Sequence, residues 1–342
     1  MRVAMIAIVV SAALVASLLF AMPYFSLGAL KSDVPVRIFA LDPRKYGAGT
    51  GDDGEPITMN AVKVDDLKPN SFVWFLDPYG KTMKTLLANS AAGNNKTSIT
   101  LDSKQMEQFQ NRDPYEYYML IRLPEWLGGG SGYHDGTGNG GNASSNENNN
   151  SSSGVATLRA YHSISLSDKC TAKYFPDEGR TRIENPCAGD MYRPWDGFAI
   201  AGPAHQGFVG MVPSKGYYPA LQMLRLSVDG GGYVVAFRPD NNPRGDGVQG
   251  EGRLMSPDEL AESNTKMVLA ASQYSGFALP FPATMPPDYV LGWIEPNYNS
   301  GRPAMSPGLP EAGDVNRLPL QATYISAGGN QATTTIDAFP QK

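Results

Sequence analysis

Glycine and proline interrupt this chain too often for long helices: 37 of its 342 residues are glycine and 27 are proline. Glycine loses much backbone entropy in a helix, and proline lacks the N–H that a helix interior needs. Between the interruptions lie short runs rich in Tyr, Val, Ile, Phe and Thr, which fit a pleated surface, so the expected fold class is mainly β. Strands are expected at residues 34–40, 71–76, 115–123, 157–164, 197–201, 221–228 and 232–237. The alternation places Tyr117, Met119 and Ile121 on one face. Residues 62–67 read as the start of a sheet, leading through a Lys68-Pro69-Asn70 turn, and Asp229-Gly230-Gly231-Gly232 reads as a hairpin turn.

One helix stands out. Ser256-Pro257-Asp258-Glu259 combines an N-cap serine, proline at the first helical position and glutamate at the capping-box position. Leu260, Met267, Val268 and Ala271 then share a helical face to about residue 272. Residues 128–154 are almost entirely Gly, Asn and Ser, with too little apolar surface to offset ordering, and read as a mobile loop. The chain divides into residues 1–30, a β domain over 31–237, and a Pro/Gly-rich extension over 238–342. That extension carries the helix and strands at 321–326 and 332–339, and reads as wrapping the domain.

Residues 3–30 carry no charge. At about 1.5 Å rise per residue they can cross a hydrocarbon layer of ~30 Å, as an uncleaved anchor or as a signal peptide. The absence of a clear small-x-small cleavage site and the length of the run favour the anchor. Membrane lipid is then a partner, with the globular part outside the cell. Two cysteines, 18% charged residues and sequons at Asn95 and Asn142 suit that side. A net charge of −5 argues against nucleic acid, whose binding rests on clustered Lys and Arg.

The most informative block runs from Cys170-Thr171-Ala172 through Asn185-Pro186-Cys187-Ala188-Gly189-Asp190-Met191-Tyr192 to Trp195-Asp196-Gly197 and Gly202-Pro203-Ala204. This series resembles the Rieske iron–sulfur proteins, whose boxes read Cys-Thr-His-x-x-Cys, Cys-x-Cys-His-Gly-Ser-x-Tyr, Asp-x-Gly and Gly-Pro-Ala. The resemblance covers roughly residues 60–237. It implies a Rieske-type antiparallel β-sandwich, with residues 62–69 as its first strand and turn and residues 218–234 as its last hairpin. The family's cluster takes two thiolates and two imidazoles. Only Cys170 matches a ligand; Ala172, Asn185 and Ala188 stand where a histidine, a cysteine and a histidine would. Asp190 replaces a serine that bonds a cluster sulfide, and Phe175 and Cys187 occupy the positions of the family's disulfide. The resemblance therefore implies that no cluster is bound and that no cofactor is required.

It also places the two cysteines on adjacent loops, which implies a Cys170–Cys187 disulfide. Such a bridge closes a loop of about 18 residues and is worth about 3 kcal/mol. Two free thiols, or a replacement metal site of both cysteines with His205, remain open alternatives. His162 reads as a strand residue and His134 as a loop residue. Only Arg2 precedes the apolar run, so the twin-arginine signal of folded export is missing. No Walker loop, dinucleotide fingerprint, zinc-spaced cysteine pair or nucleophile elbow occurs. The pairs Asp52-Asp53 and Asp65-Asp66 read as solvated charges, and the aromatic residues as packing. Catalysis is not expected. The function expected is a non-redox accessory subunit of a respiratory membrane complex, docked on its other subunits. The alternatives are a cell-surface structural or adhesive protein, and a redox protein with an unconventional metal.

Overall fold

The computed structural model describes residues 35–41, 58–88, 96–102, 105, 109, 113–128, 157–168, 170–176, 181–205, 218–237, 252–275, 289–296, 320–326 and 331–335. Among them no helix is long and apolar enough to cross a membrane. The apolar run at residues 3–30 lies outside the described residues, as do Asn95, His134, Asn142 and nearly all of the loop at 128–154.

The strands follow in order: β1 Val36–Arg37, β2 Ala40–Leu41, β3 Thr58–Asn60, β4 Ser71–Leu76, β5 Ser98–Thr100, β6 Tyr117–Arg122, β7 Leu158–His162, β8 Lys173–Phe175, β9 Arg182–Asn185, β10 Asp190–Tyr192, β11 Ala199–Ala201, β12 Tyr218–Ala220, β13 Met223–Leu224, β14 Leu226–Val228, β15 Val234–Ala236, β16 Arg253–Met255, β17 Tyr289–Pro296, β18 Leu320–Ser326 and β19 Gln331–Thr335. Among the described residues the helices α1 Lys81–Ala88 and α2 Pro257–Ser275 join them. Every strand pairing among the described residues is antiparallel.

A closed barrel forms the centre. The five-stranded sheet β13-β7-β6-β4-β2 and the three-stranded sheet β1-β15-β14 share two bent chain segments. β1 runs into β2 through Ile38 and Phe39, and β13 runs into β14 through Arg225, so each segment pairs with one sheet and then the other. Closure leaves no open edge between the two sheets. Period-2 alternation then assigns every side chain. Ile38, Phe75, Tyr118, Leu120, Leu158, Ala160, Leu224, Val234 and Ala236 fill the interior. The intervening residues Trp74, Met119, Ile121 and Tyr161 point outward into other packed clusters. β6 is consequently buried on both faces.

Outer layers cover the barrel. The meander β8-β9-β10-β11 packs on Met119, Ile121 and Tyr161 through Tyr174, Ile183, Tyr192 and Ala199. Asn70, at φ 56°, fastens this layer to the barrel: its Oδ1 accepts from the Tyr174 hydroxyl at 2.6 Å and its Nδ2 donates to the Pro176 carbonyl at 2.9 Å. α1 with β3 and β5 covers a second side. On a third, α2 and the sheet β17-β18-β19 join Leu123, Leu127 and Trp195 in one apolar cluster. α2, β17 and β18 thus share an apolar cluster with the segments that follow β6 and β10.

Several expectations need correction. Residues 62–67 are not a strand: Val62 is wedged between Ile38 and Val234, Lys63 bridges Tyr233, and Val64–Asp66 is a 3-10 turn. Adjacent aspartates favour that turn, and barrel closure offers only Val62 and Lys63 a partner. α1 and β17 are elements the sequence reading omitted. The capping box at Ser256 is half formed, for Ser256 Oγ accepts from the Glu259 N–H at 3.1 Å while the Glu259 carboxylate turns to Arg253.

A buried ion pair connects the third layer to the meander. Arg193 is 0% exposed and pairs with Asp196, which is 4% exposed. The guanidinium also donates to Asn264 Oδ1 of α2 at 2.6 Å and to the Leu291 carbonyl of β17 at 2.7 Å. Removing the cation strands a carboxylate in the interior. Arg193→Ala is expected to cost about 3–5 kcal/mol in urea unfolding, several times the ~1 kcal/mol expected for Ser256→Ala at the cap of the same helix.

Candidate functional site

Cys170, the turn at residues 186–189 and the Gly202-Pro203-Ala204 loop meet at one end of the meander, while Trp195-Asp196-Gly197 lies in the β10–β11 turn at the other. Cys170 precedes β8, and Cys187 lies in the turn between β9 and β10. The two form a disulfide with Cα atoms 6.3 Å apart. Neither sulfur is therefore a free thiol, and neither can join His205 as a thiolate ligand.

Each cysteine loop is also fixed by its own hydrogen bonds. Ser165 N–H donates to the Cys170 carbonyl at 3.0 Å, and Ala172 N–H to the Ser163 carbonyl at 2.7 Å. Across the turn, Gly189 N–H donates to the Asn185 carbonyl at 2.9 Å. Asp168 Oδ1 accepts from the Cys170 N–H and from Asn185 Nδ2, both at 2.9 Å, while Asn185 Oδ1 accepts from the Cys187 N–H at 2.9 Å. A continuous polar bridge therefore runs from Cys170 through Asp168 and Asn185 to Cys187, parallel to the disulfide.

Behind it lies Asp190, 0% exposed and without a cationic partner among its hydrogen bonds. Its Oδ2 accepts from Ser165 Oγ at 2.6 Å and from Ser167 Oγ, with Asn185 Nδ2 at 3.4 Å and the Tyr192 hydroxyl at 3.5 Å. Its Oδ1 accepts from the Ala204 N–H at 2.8 Å. Buried carboxylates need such donors in place of water. The last bond clasps the Gly202-Pro203-Ala204 loop onto β10, and the clasp is tight. Gly202 has φ 81°, and a Cβ there would lie 2.6 Å from both Asp190 Cα and Asp190 Oδ1.

The other positions of interest separate. Ala172 is fully buried in the core beside Tyr174 and Ile183, while Ala188 is half-buried in the β9–β10 turn. His205 turns to β11: its Nδ1–H donates to the Ala199 carbonyl at 2.9 Å, and its ring stands edge-on to Phe198 at 6.1 Å. His162 donates from Nε2 to the Tyr115 carbonyl at 2.8 Å beside Tyr118. A Rieske cluster does not fit this set of donors. Both sulfurs are committed to each other, Ala172 and Ala188 carry methyl groups where the resemblance calls for imidazoles, and the Asn185 amide is committed to Asp168 and Cys187. Among the described residues no group of three or more His, Cys, Asp or Glu side chains is arranged to hold a metal ion. Sequence reasoning marked Asp190 but missed Asp168, Ser165 and Ser167, whose partners come from another element.

No protein-family model matches the chain, and neither a curated protein nor a solved structure matches it.

Two predictions follow from these bonds. Gly202→Ala forces a methyl against Asp190 at a left-handed backbone position, and is expected to cost about 3 kcal/mol or more in denaturant unfolding. Burial, only partly opposed by the Tyr115 carbonyl and the Asp113 charge, holds the pKa of His162 below its ordinary 6.5. The unfolded chain therefore binds a proton that the folded chain refuses. The stability contribution is complete above about 6.5 and falls as pH drops below it, by about 1.4 kcal/mol per pH unit until the folded histidine also titrates. His205, shifted the same way by burial, adds to this slope. His162→Gln keeps a donor for Tyr115 and should flatten the acid limb of a stability–pH profile by about one proton's worth.

Proposed function

We propose that this chain is a membrane-anchored, outward-facing protein in which a Rieske-like module has become a structural element rather than an electron carrier. It would serve as a non-redox accessory subunit of a respiratory membrane assembly of the quinol-oxidising or terminal-oxidase kind. The observation that carries this reading is the Cys170–Cys187 disulfide in place of two free thiolates. Around it the polar groups are satisfied by one another: Asp190 by Ser165, Ser167 and Ala204, and Asn185 by Asp168 and Cys187. A site that kept its turns, its glycines and its bonding while losing its metal ligands is suited to holding shape. The uncharged run at residues 3–30 supports the anchor.

A second reading has one observation of its own. The sheet β17-β18-β19 places Gln331-Ala332-Thr333-Thr334-Thr335 last in its order, a run without charge or proline, and edge strands of that composition accept further strands. That property suits a cell-surface lattice or filament.

Affinity purification of the tagged full chain from detergent-solubilised membranes separates the two. Cytochrome or oxidase subunits should co-purify, with substoichiometric iron and no visible absorption band from the isolated chain. Assemblies of the chain alone, stable without membrane, favour the lattice reading. Stoichiometric iron in the isolated chain overturns the non-redox reading altogether.

A further inference from the structure

Cys187 is an exposed residue while Cys170 is half-buried, so the disulfide is approached more freely from the Cys187 side. Thiol–disulfide exchange requires an incoming thiolate to reach one sulfur and expel the other, and access selects which sulfur is attacked. The structure also bears on what happens after the bond opens. The Cys170 segment is held by the Ser165–Cys170 and Ala172–Ser163 backbone bonds, and the Cys187 turn by the Gly189–Asn185 bond. The Asp168–Asn185 bridge joins the two without using sulfur. Behind them Asp190 secures Ser165, Ser167 and the Ala204 loop. None of these contacts requires the S–S bond.

From this arrangement we propose that Cys187 is a site of exchange with low-molecular-weight thiols, and that the disulfide opens and closes within the folded protein. The thiolate of a small thiol attacks Cys187 Sγ. A mixed disulfide forms there, the Cys170–Cys187 bond breaks, and its electron pair leaves on Cys170 Sγ, which takes a proton from solvent. A second small thiol attacks the outer sulfur of the mixed disulfide and releases the Cys187 thiolate. The sum is two small thiols oxidised to their disulfide and one protein disulfide reduced to two thiols. The inference stands whether or not the chain belongs to a respiratory assembly, because it uses only the geometry of the two loops.

The test uses the full chain in detergent without denaturant, with β-mercaptoethanol as the thiol. After a short exposure, acid quenching and peptide mapping should find the mercaptoethanol adduct on Cys187 at least about tenfold more often than on Cys170. Longer exposure should yield two alkylatable thiols while near-ultraviolet circular dichroism and a single cooperative thermal transition persist. Asn185→Ala removes the parallel bridge. In that variant, reduction should also abolish the hydrogen-exchange protection of residues 181–192, which the reduced wild type retains. The proposal is overturned if thiols appear only once denaturant is added, if reduction and unfolding coincide in the wild type, or if the adduct forms on Cys170 as readily as on Cys187. Should Asn185→Ala fail to fold, the wild-type adduct map and its circular dichroism still decide.

Discussion

A guanidinium with no exposure to water has to be fully satisfied by the protein, and Arg193 is satisfied by three separate parts of the chain. Its Nε and Nη2 meet the Asp196 carboxylate three residues away. Its Nη1 reaches a side chain of α2 and a carbonyl of β17, while Trp195 and Phe198 lie 4.8 and 5.0 Å from its charge centre. Asp196 in turn accepts from Ser263 Oγ of α2 at 2.7 Å and from the Phe198 N–H at 3.0 Å. A buried pair of this sort is weak evidence for net stability, since desolvating two charges offsets much of their attraction. What it does supply is geometric exclusivity. The Arg193 fork has a complete set of acceptors only when α2 and β17 sit in this register against the turn after β10, so misplacement of either leaves a buried donor unpaired.

The same short stretch carries the opposite charge three residues earlier. Asp190 faces the cysteine loops and receives hydroxyls and backbone N–H groups instead of a cation, whereas Arg193 faces the C-terminal layer. The two networks use different chemistry to one end: each lets a residue of the β10 region gather distant segments. Glycine makes both possible. Gly197, at φ 74°, leaves room for the Tyr161 ring, which a Cβ would approach to 2.8 Å, and Gly202 leaves room for Asp190 itself. Asp196-Gly197 and Gly202-Pro203-Ala204 are therefore explained by packing around two buried charges.

How much of this could be read from the chain depended on whether an element's reason for existing lay within its own residues. Ser71–Leu76 and Tyr117–Arg122 are runs of aromatic and aliphatic side chains with a period of two, and each became a strand with the bounds expected to within two residues. Leu260, Met267, Val268 and Ala271 are all buried, as their helical spacing implied. Lys81–Ala88 was opaque because eight residues carry a weak pattern and the helix start is capped from afar: both Glu116 carboxylate oxygens accept from the Thr82 N–H at 3.2 Å. Residues 62–67 misled for the converse reason, since their alternation is real but closure of the barrel leaves most of them no strand to pair with. In the site, the disulfide was legible through the order of the boxes. Arg193 was not, because an arginine in a turn ordinarily points to water, and only α2 and β17, 71 and 98 residues on at their bonding positions, make its burial tolerable.

The residues around the disulfide each have a physical reason of their own. Ala172 lies in the core beside Ile183 and Tyr174, so its small size serves packing directly. Asn185, also buried, has its amide engaged on both sides by Asp168 and Cys187, and a thiolate there would leave both without those bonds. Cys170 and Cys187, joined to each other, carry no charge into the network that reaches the buried Asp190 carboxylate through Asn185. The aspartate and the disulfide are therefore compatible as a pair, and the aspartate would sit poorly with a reduced, anionic cluster. Asp190, by accepting from Ser165, Ser167 and the Ala204 N–H, holds three segments at this end of the meander in one arrangement.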